Sequence, residues 1–131
     1  MTTIEKRTED LLIAILAELA TQGVDTLRVS DRKFHEHFGL VLDKLKAAGG
    51  NLKQLAGQFY KNVVTDTYDE LDHSLVTAEQ FGFVKFPNPT YSRLTIAITP
   101  RMAHRLLKDW NPAERESIRA ATKEIVSRLA A

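Results

Sequence analysis

The apolar period along this chain is helical over most of its length and changes cleanly to two over one stretch. From Arg93 to Ile98 the residues alternate, with Leu94, Ile96 and Ile98 on one face and Arg93, Thr95 and Ala97 on the other. That is the pattern of a half-buried strand. Pro87-Asn88-Pro89 comes before it and forces a turn, because proline cannot donate to a strand ladder. Phe83, Val84, Lys85 and Phe86 supply a short strand on the other side of that turn. One hairpin is readable and a large sheet is not. The expected fold is mainly α with one β-hairpin packed on a helical bundle. With 131 residues a single domain suffices, residues 100–131 forming a C-terminal helical extension.

The helices can be placed from their apolar faces and their ends. Thr2 and Glu5 have the spacing of a capping box, which predicts a first helix over Ile4–Gln22 that stops at Gly23. Its stripe is Thr8, Leu11, Leu12, Ile15, Leu16 and Leu19, and Ile13 and Ala17 make its middle apolar nearly all round. Such a helix is either central in the core or shared with a second subunit. Thr26–Val29 is a short β-prone piece. Ser30 or Asp31 then caps a helix carrying Phe34, Phe38, Val41, Leu42 and Leu45, with Gly39 as a candidate break and Gly49-Gly50 as its end. Asn51 caps a third helix over 52–64, with Leu52, Leu55, Phe59 and Val63 on one face. A fourth starts at Thr65 or Asp66, turns Tyr68, Leu71, Leu75 and Ala78 inward, and ends near Gly82. Beyond the hairpin, Thr99-Pro100 and Asn111-Pro112 with Glu114 are start signals for two more helices, the last bearing Ile118, Ala121, Ile125 and Leu129.

This order of elements resembles the winged-helix regulators of the MarR kind, over residues 71–108. The resemblance is carried by Leu71, Leu75 and Glu79, by Gly82-Phe83-Val84 closing the turn into the first strand, and by Leu94–Ile98 returning from the wing. Thr99-Pro100, Ala103, Leu106 and Leu107 are similar to that family's entry into its C-terminal helix. Val29-Ser30-Asp31 before Phe34 and Phe38 is similar to its short strand and the first helix of its helix-turn-helix. The resemblance implies a winged-helix-like domain with additional N- and C-terminal helices, binding double-stranded DNA as a transcription regulator. Two departures stand out. The stretch Leu40–Val64 replaces a tight turn, and the helix before the hairpin is acidic.

Charge is segregated along the chain although the total is only +1. Residues 62–81 hold Asp66, Asp69, Glu70, Asp72 and Glu79 with no Lys or Arg, whereas residues 28–61 are net +4. A polyanion is repelled by the first stretch and attracted by the second. The candidate DNA-binding residues are therefore Lys53, Gln54, Gln58, Lys61 and Asn62 opposite the apolar stripe of helix 52–64. Lys85 and Arg93 on the hairpin join them. Amide side chains can bond base edges in pairs, and the cations neutralise phosphates. The same pattern also describes an ordinary solvated helix face. A homodimer through the first and last helices would bury their apolar stripes. The alternative reading is a winged-helix module that binds a protein rather than DNA, favoured by the acidic fourth helix.

Other chemistries find little support. There is no cysteine, which removes disulfides, thiol catalysis and cysteine-ligated zinc and fits a reducing, cytoplasmic setting. Asp66, Glu70 and His73 share a helical face, but no second helix completes a metal set, so a solvated acidic face is the simpler account. His35-Glu36-His37 splits its rings to opposite sides of a helix. Phosphate-binding loops, nucleophile elbows and dinucleotide fingerprints are missing, so neither an enzyme nor a cofactor is expected. The apolar run Leu11–Ala20 is shorter than the ~20 residues a bilayer requires. Glu5, Glu9 and Asp10 stand where a basic leader would be, so no secretory leader and no membrane partner are expected.

Overall fold

The computed structural model describes residues 7–28, 32–62, 64–65, 67–86 and 93–129. Over these residues the chain runs α1 (Thr8–Thr21), β1 (Thr26–Arg28), α2 (Arg32–Ala48), α3 (Gly50–Gly57), β2 (Lys61–Asn62), β3 (Thr67–Tyr68) and α4 (Asp69–Gln80). It continues with β4 (Val84–Lys85), β5 (Arg93–Ile96), α5 (Pro100–Lys108) and α6 (Pro112–Leu129). The fold is mainly α with an antiparallel hairpin, as the single change of period predicts.

α1 is the axis of the core. Every residue from Leu11 to Leu19 is buried, Glu18 included, because α4, α5 and α6 all pack on this helix. Its start is fixed by the Arg7 N–H, which donates to the Asp10 carboxylate at 2.8 Å. The expected capping pair Thr2 and Glu5 lies outside the described residues. The apolar surplus that suggested a subunit interface is thus consumed within the chain. Ile118, Ala121 and Ile125 of α6 are likewise buried, and α6 packs against α1 and α2. The expected homodimer through the first and last helices loses its reason, since the described part of neither helix keeps a long apolar stripe in water. Leu129 is the exception to this account, because its side chain lies outside the described residues.

α2 runs unbroken through Gly39. That residue is a point of close approach rather than a break, because a Cβ there would stand 2.8 Å from the Tyr68 hydroxyl. The third helix differs from expectation. It stops at Gly57 instead of reaching residue 64. Asn51 does not cap it, since Gly49 takes that place and the Asn51 amide donates to Glu114 of α6 at 3.5 Å. Phe59 is still buried, but it gets there after the chain has left the helix, meeting the Phe38 ring edge-on at a centroid distance of 5.3 Å. Lys61 and Asn62 then pair in register with Tyr68 and Thr67 as the two-stranded β2–β3 ribbon. The fourth helix accordingly starts at Asp69, with Tyr68 as its N-cap residue rather than part of its inward stripe.

The hairpin carries a third strand. β1 lies along the open side of β5, giving the antiparallel order β1-β5-β4 with Leu27 opposite Leu94 and Val84 opposite Ile96. These four side chains are buried, as is Ile98 just beyond the strand. Gly82 at φ +79° returns the chain from α4 into β4, and the Phe83 N–H bonds back to the Ala78 carbonyl at 2.9 Å. The last two helices start as their local signals predict. Thr99 Oγ1 accepts from the Met102 N–H at 3.2 Å, with Pro100 behind it. Asn111 Oδ1 accepts from the Glu114 N–H at 2.8 Å, and the Glu114 carboxylate accepts from the Asn111 N–H at 3.1 Å.

Candidate nucleic-acid interface

The strand alternation that buries Leu27, Leu94, Val84 and Ile96 turns the intervening residues to solvent. Arg28 and Arg93 stand directly opposite one another across β1 and β5, and both are exposed. In the next row lie Thr26, Thr95 and Lys85, the lysine also exposed. The solvent face of this sheet therefore carries three cations and no carboxylate among its strand residues. Like charges directly opposite on a sheet cost roughly 0.2–1 kcal/mol. An anionic ligand would relieve that repulsion.

The expected site residues fall into two groups. Lys53, Gln54 and Gln58 come together with Gly57 and Tyr60 along an open groove on the outer side of α3, and the Tyr60 ring is 77% exposed. Gln58 belongs to the helix end, not its body. Lys85 and Arg93 belong to the sheet. α3 packs on α2 and α1, whereas β4 packs on α4, so the helix that sits against the hairpin is α4. Lys61 and Asn62 do not extend the α3 face, because they are in β2. Asn62 is committed to its own turn. Its Oδ1 accepts from the N–H groups of Val64 at 2.9 Å and Thr65 at 3.3 Å, and its amide donates to Asp69 at 3.3 Å. It is not free to read a base.

Two residues of the surface were not among those expected. Arg28 has only a weak strand signal around it, and its pairing with Arg93 is a long-range register that local pattern does not encode. Tyr60 lies seven residues after Lys53, on the same flank of the expected helix, and has neither the charge nor the amide that marks the other candidates.

α4 behaves as its charge suggests. Asp69, Asp72 and His73 are exposed. Glu70 is half-buried, accepting from Thr8 Oγ1 at 2.7 Å and tying α4 to α1. It is therefore unavailable to the Asp66–Glu70–His73 metal set considered from sequence, and Asp66 lies outside the described residues. The start of α4 is anchored by His35 of α2. Its Nδ1 accepts from the Tyr68 N–H at 3.2 Å, and the two rings stack at 6.3 Å. Burial pushes the His35 pKa down, against an upward pull from Asp72 and Asp69. Among the described residues no group of three His, Asp or Glu side chains could hold a metal, and no helix is long and apolar enough to cross a membrane.

No family model, curated protein or solved structure matches this chain.

Proposed function

We propose that the chain is a winged-helix DNA-binding regulator that grips the phosphate backbone with the solvent face of its β1-β5-β4 sheet. The observation that carries this reading is the apposition of Arg28 and Arg93 with Lys85 alongside, three exposed cations on one face. The α3 groove, with Lys53, Gln54 and Gln58, is a second cationic and amide-rich surface able to contact the same polyanion. The element order and its likeness to the MarR kind support the reading, and so does the acidity of α4, which directs a polyanion elsewhere. A DNA partner implies a cytoplasmic protein, in keeping with the absence of cysteine.

The test is duplex binding measured across a salt series. Three phosphate contacts give a log–log slope of about −3, and changing Arg28, Lys85 and Arg93 together to Gln should remove most of it. Asp69→Ala should leave affinity unchanged or raise it. Absence of salt-dependent duplex binding at low ionic strength would discard the reading. The alternative, a protein-binding module, is favoured by one observation, the exposure of Val76 on α4 and of Phe81 at its C-cap.

A further inference from the structure

We propose that a cleft between α1 and the first half of α6 binds a small zwitterion, an α-amino acid. The cleft is separate from the sheet face and does not depend on the DNA reading. Glu18, Pro112, Arg115, Glu116 and Arg119 line an opening of about 200 Å³. Glu18 is its floor, being only 5% exposed, while Arg115 is half-buried and the other three are exposed at the rim. About one turn further along, the Gln22 amide donates to Thr122 Oγ1 at 2.8 Å, which ties the end of α1 to α6.

Packing does not explain Glu18. A buried carboxylate is costly unless it is paired and hydrogen-bonded. The Thr21 hydroxyl lies 2.7 Å from the Glu18 carbonyl and 3.4 Å from its carboxylate, and its single proton belongs to the closer oxygen. Glu18 also stands in the last turn of α1, where the carbonyl end of the helix dipole opposes a negative charge and no Lys or Arg offsets it. Among the described residues Glu18 forms no ion pair with Arg115 or Arg119, although all three line one opening.

Charge identifies the ligand. Two arginines balance two carboxylates in the cleft, so it suits neither a simple anion nor a simple cation. A molecule carrying both charges satisfies both sets. Its ammonium gives Glu18 the charge-assisted bond it lacks, with Glu116 as a second acceptor at the rim. Arg115 and Arg119, four residues apart, share one face of α6 and can converge on its carboxylate. A cavity of about 150 Å³ holds a six-membered carbon ring, so this one takes roughly six to eight non-hydrogen atoms, the size of alanine, serine, threonine or valine.

The test is calorimetric titration of the whole chain with L-alanine, L-serine, L-threonine and L-valine. At least one should bind with a Kd of about 1 mM or tighter. On the unaltered chain its N-acetyl derivative, which lacks the ammonium, and its α-amide, which lacks the carboxylate, should each bind roughly tenfold or more weakly. Glu18→Gln keeps the side-chain shape and should weaken the free amino acid by a similar factor. It should leave the N-acetyl derivative little changed, because the partner it removes has already lost its ammonium. Arg115→Gln with Arg119→Gln should likewise weaken the free amino acid and spare the α-amide. Joint replacement of Arg28, Lys85 and Arg93 by Gln should leave binding unchanged. Circular dichroism verifies the fold of each variant, and the two derivatives decide the matter on the unaltered chain should one fail to fold. The assignment is overturned if none of the four amino acids binds, if either derivative binds as well as the free amino acid, or if binding survives Glu18→Gln. Loss of binding on the triple replacement overturns it too, because the ligand would then sit on the sheet.

Discussion

Gly39→Ala sets two effects of known sign against each other. Within the body of α2 alanine is favoured over glycine by about 1 kcal/mol, so the backbone alone predicts stabilisation. The added Cβ, however, would stand 2.8 Å from the Tyr68 hydroxyl, closer than carbon and oxygen can approach. The ring cannot swing clear at low cost. It stacks on His35 at 6.3 Å, meets Phe38 edge-on at 5.9 Å, and its own backbone N–H is held by His35. Overpacking of this kind costs about 1–3 kcal/mol, so the net expectation runs from no gain to destabilisation by about 2 kcal/mol. Tyr68→Phe removes the hydroxyl and leaves ring carbons at 3.7 Å, an ordinary contact. In that background Gly39→Ala should stabilise by up to about 1 kcal/mol. The difference between the two backgrounds is a coupling of roughly 1–3 kcal/mol in a double-mutant cycle. Urea unfolding followed through the buried Trp110, the single tryptophan, measures all four proteins. If Gly39→Ala stabilises the parent as much as it stabilises Tyr68→Phe, the hydroxyl is not over Gly39 and the packing described for α2 against Tyr68 is wrong.

Three further outcomes follow from the same geometry. Ile96→Asp puts a charge on the buried face of the sheet opposite Val84 and should cost more than about 2 kcal/mol in urea unfolding; parental stability would reverse the assigned inward face. His35 is held neutral by burial, so its contribution is complete above the ordinary value of about 6.5 and is lost as pH falls below it, when the unfolded chain takes up a proton that the folded one resists. His35→Phe should flatten that stretch of the stability–pH curve, and an unchanged curve would remove His35 from the account. Glu70→Ala should cost about 1 kcal/mol through the lost bond to Thr8, whereas exposed Asp69→Ala should lie within about 0.5 kcal/mol of the parent by thermal unfolding.

What could be read in the sequence is what local chemistry decides. Thr99-Pro100 and Asn111-Pro112 with Glu114 fix their helix starts through bonds spanning three residues, so both were legible. The hairpin was legible because a period of two acts over a few residues, while the expected turn at Pro87-Asn88-Pro89 lies outside the described residues. The end of α3 was not, because Phe59 keeps the spacing of a continued helix and is buried, as that helix would require, although the chain has already turned away. Strands of two residues, like β2 and β3, have no period to detect. Of the candidate site, the cations were identifiable one at a time. Their grouping was not, because Arg28 opposite Arg93 is a register between strands 65 positions apart, and the separation of α3 from the sheet is a matter of tertiary packing.

The central place of α1 has a consequence in time. The helix leaves the ribosome first among the described elements, its middle apolar nearly all round, yet the partners that cover it end with Ile125 of α6. At roughly 5–20 residues per second the intervening hundred or so residues take on the order of 5–20 s to synthesise. For that interval Leu11–Leu19 has no completed core to enter. A nascent chain halted before α5 should therefore be a strong client for chaperones that recognise apolar helices, and one halted beyond α6 should not.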